Sequence, residues 1–420
     1  MIVNILIFLA GLAVYGGYGI PGLAYLLAAT LLTYLAGLVI PKCRWVLWIS
    51  VAVNVLVLTA VKAQPVLGWE FVAPLGISYF TFQIIAYNVD VYRGKYPPEK
   101  NLFRYAFFVT YIPHLFIGPI EPYDKMRQAA FEDRRITWDG ISEGGARFLW
   151  GLFKKLVIAT RAGVIVGAIS ADPEQFRGAY ALAAMLMYSI QLYTDFSGGM
   201  DMVLGGSRML GIVMSENFDA PYFSQSFQEF WRRWHMTLGS WLRNYVYIPL
   251  GGNRKGKARK IINMVITFLV SGLWHGIHYV LWGFINGVFV AFGDRFQTGS
   301  KMVNRLGTFF LVTLLWSFFV WPDTMTAAKM VISVFTTFNY GAFFAAVGTL
   351  GLTLGDWIVL AAAVLILWLY DWKRESIWAK VHDMEPAGRV AIICTLGLIV
   401  LVFGMYGIGF NASEFIYSRF

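Results

Sequence analysis

Long, nearly uninterrupted apolar runs recur along the whole chain and dominate its pattern. A helix that crosses a bilayer needs about 20 mostly apolar residues. The runs cover residues 1–18, 22–40, 45–61, 71–89, 103–120, 146–169, 178–205, 261–277, 279–293, 306–321, 326–350, 356–370 and 388–408. The pattern therefore predicts an all-α polytopic membrane protein with about eleven transmembrane helices, and with re-entrant or interfacial helices where a run is short or interrupted.

The beginning of the chain and its connections suggest one continuous membrane domain. Run 1–18 has no basic segment before it and no small-residue cleavage site, so we expect it to be the first span and not a removed signal peptide. The connections are short, and the sequence has no repeat of about 20 to 50 residues. We therefore expect a single integral-membrane domain over residues 1–420.

The composition excludes several classes of protein. The 420 residues are 58% hydrophobic and 14% charged, whereas soluble domains carry about 25% charged residues. That apolar content also excludes a disordered chain. The chain has two cysteines, Cys43 and Cys394, which do not indicate a disulfide scaffold.

The net charge of +10 is concentrated in one place. Segment 224–260 is too polar to span, and it carries aromatic residues at three- to four-residue intervals beside a dense group of cations. By the positive-inside rule it faces the cytosol, as an amphipathic or re-entrant segment of a multi-pass protein in the cytoplasmic (inner) membrane. A plain interfacial anchor explains the same pattern, and nothing indicates a nucleic-acid partner.

Histidines are the candidate chemical groups of this region. His235 lies within the aromatic stripe, and the charge-free stretch 261–293 contains His275 and His278. A histidine in an apolar helix is often only structural, which we expect for His278. No cysteine or carboxylate is near enough to complete a metal site, so we expect no metal. His275 stands beside Gly276 at a predicted helix break, where a neutral imidazole can accept a proton.

Two carboxylates interrupt the apolar run 178–205. Asp195 could cap a helix through the N–H groups near Ser197 and Gly198, or it could pair with a basic residue beside a water-filled cavity. Both interpretations stay open for Asp195, whereas a structural role is favoured for Asp201. His114, between Pro113 and Pro119, marks a further broken span.

Several motifs together resemble one enzyme family. The block FQEFWRRWHMTLGSWLRNYVYIPLGGNRKG at 227–256 is followed by GLWHG at 272–276. Further motifs are PLGISYFTFQ at 74–83, PHLFIGPI at 113–120, QLYTDFSGGMDMVLG at 191–205, ENFDAPYF at 216–223 and EFIYSRF at 414–420. With these motifs the chain resembles the membrane-bound O-acyltransferase family, in its bacterial polysaccharide-modifying branch. Gly199 and the stretch SFFVWPD at 317–323 depart from the usual pattern of that branch.

The resemblance implies roles for individual residues. It implies a ring of helices around a central funnel, with His275 as the catalytic residue and His235 as a second functional histidine. His235 or a backbone N–H would then stabilise the oxyanion. Tyr417 would relay the acyl group, although an aromatic anchor at the interface explains it as well. The residues expected along the donor tunnel are Trp231, Arg232, Arg233, Trp234, Asn244, Trp274 and Asp195.

The resulting expectation is an enzyme that moves an acyl group, most simply acetyl, across the membrane to hydroxyls of an extracytoplasmic polysaccharide. It binds no cofactor, and its co-substrate is acetyl-coenzyme A or an acyl-carrier thioester. An extracytoplasmic SGNH or esterase-like acetyltransferase is the expected partner. Open alternatives are D-alanyl transfer to teichoic acid, lipid or protein O-acylation, and a transporter, although the inverted repeats typical of transporters are not found.

Overall fold

The computed structural model describes residues 2–68, 74–293 and 297–406, and within these ranges the chain is helical without any strand. This confirms the all-α prediction. The α-helices are α1 Ile2–Tyr18, α2 Ile20–Val39, α3 Trp45–Leu67, α4 Ile77–Tyr92, α5 Leu102–Thr110, α6 Ile112–Phe116, α7 Tyr123–Arg127, α8 Trp138–Leu152, α9 Thr160–Ser170, α10 Ala179–Met209, α11 Phe227–Arg233, α12 Met236–Leu242, α13 Gly256–His275, α14 Val280–Phe292, α15 Lys301–Leu315, α16 Ser317–Val320, α17 Thr324–Thr336, α18 Tyr340–Ala346, α19 Leu354–His382 and α20 Pro386–Phe403.

Shorter helical segments of other types join some of these helices. Three π-helical turns, at Gln128–Glu132, Phe153–Ala159 and Arg243–Tyr247, follow α7, α8 and α12. The second of them makes α8 and α9 one continuous helical segment. A π-helical turn often accompanies a functional site.

Several helices are long and apolar enough to cross a membrane. Among the described residues five qualify: α2, Trp45–Gln64 of α3, Lys301–Val320, α19 and α20. A sixth is added if α17 and Tyr340–Thr349, which bend by 108°, count as one span. The membrane character of the chain is thus supported, whereas the expected count of about eleven spans is not confirmed.

Fewer helices qualify as spans than the apolar runs predict, and the reasons lie in particular runs. Run 103–120 is divided into α5 and α6 because Pro113 favours a helix start and the backbone at Tyr111 is non-helical. Run 326–350 is bent between α17 and α18. The runs that contain α9 and α10 include lysine and aspartate side chains, which form ion pairs with one another within the protein. Charged side chains lower the mean hydropathy of a span.

The chain divides into two compact units. The first consists of the described residues of Met1–Gly144 and Val203–Glu216. Its core is aromatic: the Tyr87 ring lies 4.7 Å from that of Tyr105 and 5.0 Å from that of Tyr123. His114 is fully buried there, and its Nδ1 lies 3.0 Å from Gln83 Nε2, which is the environment of a structural histidine.

The second unit consists of the described residues of Gly145–Met202 and Asn217–Phe420, and it contains His235 and His275. One closely packed feature of this unit is the hairpin of α13 and α14. A Cβ added at Gly272 would lie 3.2 Å from Gly283 Cα, and one added at Gly283 would lie 3.2 Å from Gly272 Cα. The two backbones can approach this closely only because both residues are glycine.

Candidate active site

His275 is the last residue of α13, at a break that ends the helix. Gly276 follows with φ +140°, a conformation that favours glycine, and its N–H donates to Gly272 O at 3.2 Å and Leu273 O at 3.1 Å. The chain then makes a single 3₁₀ turn, Ile277–Tyr279, before α14 begins. The predicted helix break at His275 is therefore confirmed.

Aromatic rings surround the half-buried His275 imidazole. The centroids of Trp282 and Phe319 lie 5.6 Å and 5.4 Å from it, in edge-to-face arrangements at 90° and 89°. Trp274 lies at 4.4 Å and Tyr279 at 6.0 Å. These rings restrict the orientation of the imidazole and limit the access of water. The C-terminal end of a helix stabilises a positive charge, and His275 stands at that end of α13.

His235 occupies a second break, between α11 and α12. Its φ is +45°, a left-handed conformation that is uncommon for a residue other than glycine, and its side chain is buried. The predicted aromatic stripe of 224–260 is therefore carried by two short helices and a π-helical turn rather than by one continuous helix. Its apolar side is nonetheless buried, as the pattern indicated, at Phe227, Phe230, Trp234, Leu238, Trp241 and Leu242.

The segment before α11 holds this second break in place. Met236 N–H donates to Asn217 O at 2.9 Å, and Asp219 N–H donates to Arg233 O at 3.0 Å. Asn217 Oδ1 also lies 3.1 Å from His235 Nδ1. On the other side, the Phe196 ring of α10 stands edge-on to the imidazole, with centroids 4.9 Å apart. His235 is thus fixed by two separate elements.

One tryptophan cluster lies between the two histidines. Trp234, next to His235, contacts Trp316 at 5.2 Å between centroids, and Trp316 stacks on Trp282 at 6.1 Å. Trp282 in turn contacts His275. Trp231 adds a contact with Trp282 at 5.6 Å, and its indole N–H donates to Asn286 Oδ1 at 3.2 Å. The structure therefore brings both histidines, Trp231, Trp234 and Trp274 to one aromatic region.

The carboxylates of α10 are paired with cations. Asp195 lies in the middle of α10, so the helix-cap interpretation is wrong: its buried carboxylate accepts a hydrogen bond from Lys155 Nζ. Asp201 Oδ2 lies 2.6 Å from Lys154 Nζ, and Asp201 Oδ1 lies 2.9 Å from Arg147 Nε. The other interpretation of Asp195 was that it pairs with a basic residue, and the structure shows this pairing with Lys155.

Comparison with known proteins decides the family. Residues 86–337 match the family model described as MBOAT, membrane-bound O-acyltransferase family.

The chain belongs to the membrane-bound O-acyltransferase family.

Curated relatives include several bacterial proteins named for the transfer of an acetyl or a D-alanyl group. A Pseudomonas fluorescens protein named probable alginate O-acetylase AlgI is 35% identical over 402 residues, which cover 91% of this chain and 81% of the relative. A Helicobacter pylori peptidoglycan O-acetyltransferase is 33% identical, covering 62% of this chain and 56% of the relative. A Streptococcus thermophilus teichoic acid D-alanyltransferase is 27% identical, covering 62% and 67%. The chain is accordingly an O-acyltransferase.

The other residues expected along the donor tunnel of this O-acyltransferase are Arg232, Arg233 and Asn244. Arg232 is exposed. Arg233 forms ion pairs with Glu229 at 2.8 Å and with Asp219 at 3.8 Å. Asn244 is half-buried in the π-helical turn Arg243–Tyr247. The described contacts do not bring these three side chains to His275.

Tyr417 lies outside the described residues. His278 is exposed in the 3₁₀ turn, and its carbonyl oxygen accepts a hydrogen bond from Thr324 Oγ1 at 3.3 Å. In the part of the chain that the structure describes, no group of three or more His, Cys, Asp or Glu side chains could hold a metal ion.

Sequence reasoning missed four residues of this region: Phe196, Asn217 and Phe319, which contact a histidine, and Trp316, which contacts Trp234 and Trp282. Phe196 and Asn217 lie within motifs already noted for the family resemblance, QLYTDFSGGMDMVLG and ENFDAPYF, but neither was singled out. Trp316 and Phe319 lie at the end of an apolar run, where an aromatic residue carries no signal of its own. Only the packing of distant helices reveals their position.

Proposed function

We propose that this O-acyltransferase transfers an acetyl group from a cytosolic thioester toward hydroxyls of an extracytoplasmic polysaccharide, in the cytoplasmic (inner) membrane. The relatives named as an alginate O-acetylase and a peptidoglycan O-acetyltransferase support both the acetyl group and the carbohydrate acceptor. The apolar helices support a multi-pass membrane location.

The observation that carries the proposal is the placement of His275 at the end of α13, in an aromatic surrounding that also borders His235. His275 removes the proton of the acceptor hydroxyl as its oxygen attacks the thioester carbonyl. The tetrahedral intermediate collapses with loss of the donor thiolate, and the proton held by His275 passes to that thiolate. A new oxygen ester and a free thiol result, and His275 returns to its neutral form.

The donor approaches from the side of the basic segment. Residues 253–260 are exposed, and five of them, Arg254, Lys255, Lys257, Arg259 and Lys260, are cations. Such a patch attracts the phosphates of coenzyme A or the acidic surface of a carrier protein and raises the local concentration of the donor. On the opposite side of the membrane, an SGNH or esterase-like acetyltransferase would complete transfer to the polymer.

Labelling with radioactive acetyl-coenzyme A tests the proposal. Membranes with equal amounts of folded protein are incubated with the label, and acetyl incorporation is compared among wild type, His275→Ala and His278→Ala. The exposed His278 is the matched control, because it is a histidine of the same hairpin. General-base catalysis contributes about 10² to 10⁴ in rate, so His275→Ala should lose a factor of that size. Equal incorporation in wild type and His275→Ala would rule out the catalytic role.

A further inference from the structure

Asn217 contacts both sides of the break that carries His235. Its side chain is fully buried. Its Oδ1 accepts hydrogen bonds from Thr237 N–H and Thr237 Oγ1, both at 3.0 Å, and it lies 3.1 Å from His235 Nδ1. Three polar groups of the break thus converge on one amide oxygen.

These contacts determine which way the Asn217 amide points. A backbone N–H can only donate, so the Asn217 atom that faces Thr237 N–H must be the oxygen and not the amide nitrogen. An amide oxygen can only accept. The His235 nitrogen facing it must therefore carry a proton, which places the proton on Nδ1.

The protonation of Nδ1 determines the chemistry of the other ring nitrogen. In a neutral imidazole one nitrogen donates and the other accepts, so Nε2 carries the lone pair. His235 lies outside the candidate spans, and burial lowers its pKa to about 3. The ring is then neutral throughout the physiological range, and Nε2 is a hydrogen-bond acceptor.

We propose that Asn217 is a positioning residue that holds His235 in the Nδ1-protonated tautomer, so that His235 presents Nε2 as a proton acceptor toward the acyl-transfer site. This inference rests on the proposed function. It removes the role of oxyanion donor that the family resemblance implied for His235, because a neutral imidazole has no second N–H to donate. Oxyanion stabilisation then falls to other donors of the site.

The choice of asparagine over aspartate supports the same conclusion. Among the described residues Asn217 Nδ2 has no hydrogen-bond partner, and leaving a buried N–H₂ without one is unfavourable. Aspartate would accept the same three hydrogen bonds, but its charge would stabilise the imidazolium. Asparagine supplies the acceptor oxygen and keeps His235 neutral.

Two arginines near the break, Arg233 and Arg374, are held by polar partners, and Arg232 is exposed. Arg233 pairs with Glu229 and Asp219, and Arg374 donates to Phe218 O at 2.6 Å and to Asp219 Oδ1 at 3.4 Å. Phe196, on the facing helix α10, presents an uncharged ring to the imidazole. Asn217 is therefore the neutral polar contact through which the protonation of His235 can be changed by substitution.

Nitrogen NMR measures the tautomer without reference to activity. Protein labelled with ¹⁵N-histidine is prepared in micelles, and His235 is assigned by the resonance lost in His235→Gln. We expect a protonated Nδ1 and an unprotonated Nε2 in wild type. Asn217→Ala should give a mixture of tautomers, whereas Thr237→Val, which removes a different bond to the same oxygen, should retain the wild-type tautomer. A protonated Nε2 in the neutral wild-type ring would overturn the inference.

Kinetics test whether the tautomer matters for transfer. At metal sites, loss of a group that orients a ligating histidine typically costs about 10- to 100-fold in affinity or activity. We expect an effect of similar size here, so Asn217→Ala should lower kcat while KM for the thioester stays near the wild-type value. Asn217→Asp restores the acceptor oxygen, so it should recover kcat at high pH. It should also move the acidic limb of the pH profile upward, because the carboxylate stabilises the imidazolium.

The same variants separate this inference from the proposed function. If Asn217→Ala and Thr237→Val lower kcat equally and Asn217→Asp leaves the pH profile unchanged, Asn217 has only a structural role and the inference is overturned. If His275→Ala retains activity, the proposed function fails, and the NMR result still decides the tautomer of His235.

Discussion

The buried ion pair of Lys155 and Asp195 allows a sharp test of what holds the second unit together. The exposed fractions of the two side chains are 9% and 1%. Lys155→Met replaces the side chain with an unbranched apolar one that is a single atom shorter and carries no charge, so the ion pair with the Asp195 carboxylate is lost. Breaking a buried pair from one side costs about 3–5 kcal/mol. That is a large fraction of the roughly 5–15 kcal/mol that stabilises a typical protein.

Denaturant unfolding in micelles, followed by tryptophan fluorescence, measures this loss. The compensating variant Lys155→Met/Asp195→Asn should recover most of the stability, because replacing both charges leaves no isolated ion in the interior. The double-mutant cycle then gives the coupling energy of the pair directly. A value for Lys155→Met within about 0.5 kcal/mol of wild type would refute the reasoning, since that is the range of ordinary surface substitutions.

The double variant also separates the two roles considered for Asp195. If it folds and transfers acetyl at the wild-type rate, Asp195 serves the structure. If it folds and is inactive, Asp195 takes part in the acyl-transfer tunnel as the sequence predicted.

Two further predictions concern the hairpin and the C-terminus. Gly283→Ala forces α14 away from α13 and should reduce both acetyl transfer and the yield of folded protein in size-exclusion chromatography, whereas Gly397→Ala, with open space around its Cα, should be neutral in both assays. Tyr417→Phe should abolish acetylation of the polymer while leaving donor hydrolysis intact if Tyr417 relays the acyl group. Full polymer acetylation by this variant, measured in cells, would count against the relay.

The fold could be predicted to the level of its helices. Apolar length predicted most of the helical regions, since segments such as α2, α3 and α20 have few polar interruptions. The bends were harder to predict, because they depend on local backbone conformation and packing. Pro113 near the start of α6 is a sequence signal for one break, whereas no such signal accompanies the 108° bend after α17. For this reason the number of spans could not be predicted from apolar length alone.

The candidate site was predictable where chemistry and pattern coincide. His275 was found because a histidine beside glycine interrupts a charge-free run, and the structure confirms the helix break there. The surroundings of His235 were not predictable in the same way. Asn217 precedes it by 18 residues and meets it only because the intervening chain folds back on itself. The partner of Asp195 was equally hidden, since Lys155 lies 40 residues earlier.

The paired charges of the second unit also constrain how the protein enters the membrane. Lys154 and Lys155 belong to the apolar run 146–169, and Asp195 and Asp201 to the run 178–205. A single lysine or aspartate at the centre of a helix costs about 2.5–3.5 kcal/mol on insertion, and each of the two segments carries more than one charged residue. Side by side, Lys155 pairs with Asp195, and Lys154 and Arg147 pair with Asp201. Because only residues 171–178 separate the two helices, biogenesis favours their release into lipid together, as one helical hairpin.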